Sequence, residues 1–255
     1  MAKWLLVLCV LATSVSSQAS VLGDVEGVRL LNASLLASLI PKNLFPGETK
    51  IHYIGVEFGL LVGGFGSSTL KTALESLPGL ESSANDVGKY TLLPQLPSLY
   101  TQLAFPFGLA VDAQFLPPLT FTSVSEHYWA GGLKWNYLAA LMPSSKLDSS
   151  IRLNYHNFGI QKGTNYSIGN TGYGVLHTFG KRFSWASLWL GYGFATGSMD
   201  FKYSSTKVSI SESPRVSGLH VSVGGVLEGG GFVTGLEWAN IVGVNTATLK
   251  FGLRI

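Results

Sequence analysis

The stretch "SGLHVSVGGVLEGGGFVTGLEW", Ser217 to Trp238, alternates apolar with small or polar residues on both sides of Gly229-Gly230-Gly231. A period of two marks a β-strand, and glycines between two such runs read as a hairpin turn. Leu219, Val221, Val223 and Leu227 share one face of the first strand; His220, Ser222, Gly224 and Glu228 share the other. On the return strand Phe232, Leu236 and Trp238 oppose Gly235 and Glu237. The fold turns on what covers the apolar face. A soluble sandwich would bury it against a second sheet, whereas a membrane barrel would turn it to lipid.

Composition favours lipid. Only 12% of the 255 residues are charged, while glycine contributes 31 residues and aromatics 12%. Such a chain is too apolar for a solvated surface. No segment after the N-terminus approaches the ~18 consecutive apolar residues of a membrane helix. The net charge of +3 leaves no nucleic-acid footprint.

The chain opens "MAKWLLVLCVLATSVSSQAS". Lys3, an apolar run from Trp4 to Ala12 and the small residues before Ala19 read as a secretory signal peptide over 1–19. The only cysteine, Cys9, leaves with it. A mature chain of this size without a thiol reads as a bacterial export product rather than a disulfide-bonded eukaryotic one. Residues 20–48 form an N-terminal segment, and the alternation defines a barrel over 49–255.

The alternation recurs along that region. Ile54, Val56, Phe58, Leu60 and Val62 oppose Glu57. Leu103, Phe105, Phe107, Leu109, Val111 and Phe115 oppose Gln102, Asp112 and Gln114, with a bulge or break expected at Pro106. Trp129, Leu133, Trp135 and Tyr137 oppose Glu126, Lys134 and Asn136. Further strands follow around Arg152, Tyr173 and Leu190, and the chain ends on Leu249, Phe251, Leu253 and Ile255 opposite Lys250 and Arg254. About nine strands are readable this way, and Val87–Leu93 ("VGKYTLL") supplies a tenth. The expectation is an all-β antiparallel transmembrane barrel of about ten strands, with eight and twelve as alternatives.

The less apolar face carries Glu57, Asp112, Glu126, Glu228 and Glu237 against Lys134, Arg152, Arg215, Lys250 and Arg254. Balanced charges among glycine and serine suit a narrow lumen, where opposite charges neutralise one another. The long "MDFKYSSTKVSISESP" reads as strands extended beyond the bilayer. Two stretches have helical spacing instead: Val28, Leu31, Leu35 and Leu39 before Pro41, and Leu70, Ala73, Leu74 and Leu77. The first helix could plug the lumen, lie at the interface or meet a partner; plain packing is the simplest reading.

Taken together, the chain from Lys50 to Ile255 resembles a bacterial outer-membrane β-barrel protein. That class usually ends in Phe or Trp; Leu249, Phe251, Leu253 and Ile255 keep the spacing, with Ile at the end. The resemblance implies an outer-membrane location, outer-membrane lipids as partners and the option of a homo-oligomer.

No metal cluster, P-loop or nucleophile elbow is present, and no cofactor is expected. His220-Val221-Ser222 resembles the strand motif of outer-membrane lipid A deacylases, in which a histidine activates a serine two residues away. Glu228 or Glu237 would then orient the imidazole. Val223 stands where that family has asparagine, and a lumen contact is the plainer reading. His156 and His177 lack a second ligand at metal spacing. The chain therefore reads as a non-enzyme: either a porin-like barrel passing small solutes or apolar compounds, or a structural barrel whose loops or lipid-facing surface bind other copies, lipids or surface partners.

Overall fold

The computed structural model describes residues 21–42, 54–76, 84–86, 88–94, 97–116, 124–142, 144–162, 166–204 and 209–255. The signal peptide expected over 1–19 lies outside them. In chain order the strands are β1 (Gly55–Gly66), β2 (Leu92–Pro94), β3 (Ser98–Ala104), β4 (Leu109–Phe115), β5 (Val124–Trp135) and β6 (Leu147–Lys162). They continue as β7 (Tyr166–Arg182), β8 (Ala186–Ser204), β9 (Ser209–Glu212), β10 (Arg215–Gly229), β11 (Phe232–Ile241) and β12 (Val244–Arg254). Three helices accompany them: α1 (Val21–Leu39), α2 (Ser67–Glu75) and α3 (Tyr137–Leu141).

Ten of these strands form a closed antiparallel ring, β1-β3-β4-β5-β6-β7-β8-β10-β11-β12. Closure lies between β1 and β12, from Glu57 opposite Arg254 to Phe65 opposite Thr246. The expected number is right, but the tenth strand is not Val87–Leu93. Leu92–Pro94 pairs only with the far end of β1 and stays outside the ring. The extra strand comes from Tyr100–Phe115, read from sequence as one strand with a break at Pro106. A 3-10 turn at Pro106–Gly108, with Phe107 at φ 63°, folds it into the β3–β4 hairpin. The turn preserves parity, so Leu103 and Leu109 stay outside while Gln102 and Asp112 stay inside.

The two ends of the ring differ. At one end the connections are the β3–β4 turn, the β7–β8 turn, α3 and Gly230-Gly231, with Ile255 beside them. Gly230 and Gly231 both hold positive φ, 59° and 83°, which a two-residue hairpin turn of this twist demands. At the other end lie the connection bearing α2 and the extended β8–β9 ladder, Phe201 opposite Glu212 through Ser204 opposite Ser209. That ladder is the over-long hairpin expected from "MDFKYSSTKVSISESP". It stops at Pro214, which has no N–H to donate, and β10 then resumes pairing to β8 at Arg215.

Outward positions are apolar around the ring: Phe58, Leu103, Val111, Trp129, Leu153, Val175, Leu190, Phe194, Val223, Trp238 and Phe251 are all exposed. Inward positions on the same strands are buried. Arg215 is an exception to the sequence reading: it shares parity with Leu219 and is exposed on the outer side, at the long-loop end of β10, not in the lumen.

α1 occupies the lumen in the half nearer the long loops. Leu31, Asn32, Ala33, Ser34, Leu36 and Ala37 are all buried, so the helix is enclosed on most sides instead of presenting one stripe to a core. Val28 and Leu31 pack with Leu70 and Leu74 of α2 and with Phe158, Ile168, Met199 and Phe201 of the wall. Leu36 and Ile40 pack against Ala195, Val216, Ala239 and Ile241. Glycines in the wall make the room. A Cβ on Gly172 would stand 2.7 Å from Leu36, and one on Gly174 would stand 2.7 Å from Ile40. Asn32 donates to the carbonyls of Gly197 and Pro214 at 3.2 and 2.8 Å, and the Tyr128 hydroxyl donates to the Leu39 carbonyl at 2.9 Å. Leu77, expected to extend α2, lies outside the described residues.

The outer wall makes a quantitative demand. Val221 sits mid-strand between Tyr192 and Asn240. Arginine placed there is expected to destabilise the folded barrel by about 2–4 kcal/mol, and by about 0–1 kcal/mol near a strand end such as Leu227. Equilibrium folding into lipid vesicles measures the profile; a penalty that does not vary with depth rejects lipid exposure.

Candidate functional site

The half of the lumen nearer the short turns is filled by a charged layer. Alternation alone places its members inside, because every second side chain of a strand enters the lumen. Arg152 of β6 donates from Nη2 to Asp112 Oδ1 at 2.7 Å and from Nε to Asn154. Both ion-pair partners are essentially fully buried. The pair crosses over Gly132, where a Cβ would come within 2.8 Å of the Asp112 carboxylate and 2.5 Å of the guanidinium. A second group gathers on Glu57. Lys250 makes an ion pair with it, the Tyr100 hydroxyl donates to Oε1 at 2.7 Å, and Arg254 donates to Oε2 at 2.7 Å. Arg254 reaches Glu228 as well, at 2.6 Å, which ties β1, β10 and β12 together across the closure. The Lys250 ammonium also lies 5.2 Å from the centre of the Tyr100 ring.

Leu61, Tyr100, Trp189, Val226 and Val233 form an apolar cluster inside the ring, with Tyr100 common to it and to the charged layer. One recess of about 20 Å³, lined by Lys134, Asp148, Ser150, Thr178 and Trp189 among others, has room for little more than a water molecule. Glu237 is buried on the inner face of β11. Glu126 lies in β5 opposite Ile160, and its side chain is outside the described residues. Tyr100 is the member that sequence reading missed. Its signal was Gly252, whose Cβ would meet the Tyr100 hydroxyl at 2.0 Å: small residues on β12 make room for a large one on β3.

His220 and Ser222 are fully buried in the lumen, and no hydrogen bond joins them. Neighbouring inward positions of one strand stand about 6.5–7 Å apart, so parity alone does not make a dyad. Neither ring nitrogen of His220 nor the Ser222 hydroxyl has a hydrogen-bond partner among the described residues. Glu237 is opposite Gly224, and Glu228 is engaged by Arg254. The three residues of the deacylase-like motif are therefore not assembled, and the wall separates them from lipid. His156 instead bonds Asn170 at 2.7 Å, and Asn170 donates to Asn32 of α1 at 2.8 Å, so this histidine helps hold the plug. Among the described residues no group of three metal-ligating side chains is present.

A second polar cluster lies on the outer wall, near the short-turn end. His177 points outward from β7. Its Nε2 is 2.8 Å from the Tyr137 hydroxyl and 3.2 Å from Ser149, and its Nδ1 is 3.0 Å from the Tyr192 hydroxyl. Tyr137 also lies 2.5 Å from Ser149. Sequence spacing placed Tyr137 at the end of a strand and left His177 alone. In the structure Asn136 caps α3, accepting from the Ala139 N–H at 3.1 Å, and the helix folds Tyr137 back over the wall. Lys181 and Phe179 continue the same outward row of β7.

A closed ring of ten antiparallel strands with an apolar outer wall and a polar, filled lumen defines a transmembrane β-barrel of the outer-membrane type. No protein-family model matches the chain, and neither does any characterised sequence. Among solved structures the chain is similar to the attachment invasion locus protein Ail of Yersinia pestis: 12% identity over 79% of this chain and 97% of that one, TM-score 0.39. The outer membrane protease OmpT of Escherichia coli matches at 9% identity over 83% and 99% of the two chains, TM-score 0.41. The translocator domain of NalP from Neisseria meningitidis matches at 8% over 79% and 87%, TM-score 0.34.

Three variants separate the lumen groups that hold the barrel from those that do not. Arg152→Met strands the buried Asp112 carboxylate and is expected to destabilise the barrel by about 3–5 kcal/mol, with most of the loss recovered in the double variant carrying Asp112→Leu. Ser222→Ala removes a hydroxyl that has no partner among the described residues, so stability is expected to hold or to rise by about 1 kcal/mol. Urea unfolding of vesicle-inserted protein measures all three; a large loss in Ser222→Ala would contradict the arrangement of the lumen.

Proposed function

We propose that the protein is a closed, non-conducting barrel of the bacterial outer membrane, exported by the segment 1–19 and oriented with its short turns in the periplasm. Short periplasmic and longer external connections are the habit of such barrels. The working surfaces are then the lipid-facing wall and the external mouth, where α1, α2 and the β8–β9 ladder meet. The observation that carries this reading is the double obstruction of the lumen. α1 fills the outer half, and the Asp112–Arg152 and Glu57–Lys250–Arg254 groups fill the inner half.

Porin-like passage, the other reading of the sequence, needs an open lumen, and both halves would have to rearrange to provide one. A catalytic role for His220 and Ser222 has no support in their geometry. The proposal is that the protein is not an enzyme and acts by binding lipid and surface partners.

In planar bilayers the full chain is expected to give no unitary current steps. A variant lacking 21–42 that still shows the heat-dependent gel migration of a folded barrel is expected to stay silent too, because the charged layer remains. Reproducible steps from the unaltered protein would overturn the reading in favour of solute passage.

A further inference from the structure

We infer that α1 delivers the N-terminal end of the mature chain to the outside of the cell, so that the two ends of the protein lie on opposite sides of the membrane. The inference rests on the export and orientation proposed above, with the short turns in the periplasm. Two features carry it: the direction in which α1 enters the ring, and the number of strands that close the ring.

The contacts of α1 descend the lumen in step with β7. Asn32 accepts from Asn170 at 2.8 Å, Leu36 faces Gly172 and Ile40 faces Gly174. Four helix residues rise about 6 Å and two strand residues about 6.6 Å, so helix and strand keep pace. β7 runs from Tyr166 at the long-loop end to Arg182 at the short-turn end, and α1 runs the same way. The earlier residues agree. Val28 and Leu31 pack with α2 and with Ile160, Ile168, Met199 and Phe201 at the long-loop end of the wall. At the other end of the helix Lys42 is buried, and its ammonium donates to the Ala37 carbonyl. A cation there suits the negative end of the helix dipole.

An even number of strands returns a chain to the end from which it set out. β1 begins at the short-turn end, where Val56 and Ile255 exchange backbone hydrogen bonds of 3.2 and 2.9 Å. The ring has ten strands, so the chain also finishes there. Val21 lies at the opposite end, one helix segment beyond Val28. The start of α1 and the start of β1 are therefore at opposite mouths of the ring. The end that holds α1 is solvated: Glu26 and Arg29 are exposed and pair with one another at 2.6 Å. Residues joined ahead of Val21 would leave the ring at this mouth. The turn around Glu26 is thus part of the external surface that partners meet, beside α2 and the β8–β9 ladder.

The mature chain expected after Ala19 has no cysteine, so a single introduced thiol reports its location against a blank background. Glu26→Cys and Arg29→Cys mark the start of α1, Lys202→Cys marks the β8–β9 ladder and Ser184→Cys marks the β7–β8 turn; all four positions are exposed. Cells expressing each full-length variant are treated with a membrane-impermeant maleimide, before and after the outer membrane is permeabilised. Heat-dependent gel migration checks that each variant has folded. Glu26→Cys, Arg29→Cys and Lys202→Cys are expected to label equally in both samples, and Ser184→Cys only after permeabilisation. Labelling of Lys202→Cys on intact cells with both α1 variants protected overturns the inference and leaves the orientation standing. Labelling of Ser184→Cys on intact cells with Lys202→Cys protected overturns the orientation itself.

Discussion

In hydrocarbon there is no water to satisfy a backbone N–H or C=O, and a sheet with open edges would leave a row of each exposed. The pairing of β1 with β12 removes both edges at once, and the rest of the molecule depends on it. Nine residue pairs form that seam, and its lumen side is the most heavily charged part of the ring. Glu57 on β1 is held by Lys250 and Arg254 on β12, while Arg254 also reaches Glu228 on β10. The backbone ladder and the side-chain network thus secure the same seam from two directions.

Closure raises a packing problem that eight strands would not have. Side chains fill the interior of an eight-stranded barrel, and each added strand widens the lumen. With ten, this chain fills the space by three means: a helix in one half, ion pairs in the other, and Trp189 with Tyr100 between wall positions. Glycine is the counterpart of each large group. Gly172 and Gly174 face α1, Gly132 lies under the Asp112–Arg152 pair, and Gly252 faces Tyr100. The high glycine content therefore reflects close approach inside a confined lumen, more than flexibility.

Buried ion pairs are weak sources of stability, since desolvation offsets much of their attraction. Their value here is positional. A hydrophobic filling of the same volume would seal the lumen without specifying which strand lies beside which. A carboxylate on β4 that must find a guanidinium on β6 fixes register across the intervening glycine of β5. The outer wall follows the opposite logic, remaining almost free of charge between Lys181 near one end and Lys202 and Arg215 near the other.

The period-two alternation by itself determined the fold class, the two faces of each strand and the inward placement of Glu57, Asp112, Arg152, Lys250 and Arg254. Parity is a local property, and burial on one side enforces it along the whole strand. The helical spacing of Val28, Leu31, Leu35 and Leu39 was equally legible, because it too is local. Tertiary structure decided the rest. The Pro106–Gly108 turn split one apparent strand into two without disturbing parity, so periodicity could not register it. Whether α1 lay in the lumen, at the interface or on a partner depended on wall glycines far away in the chain. His220 and Ser222 share a face but do not meet, whereas His177, Tyr137, Ser149 and Tyr192 come together from three strands and a helix. Sequence spacing fixes direction along one element; distance between elements exists only once the ring has closed.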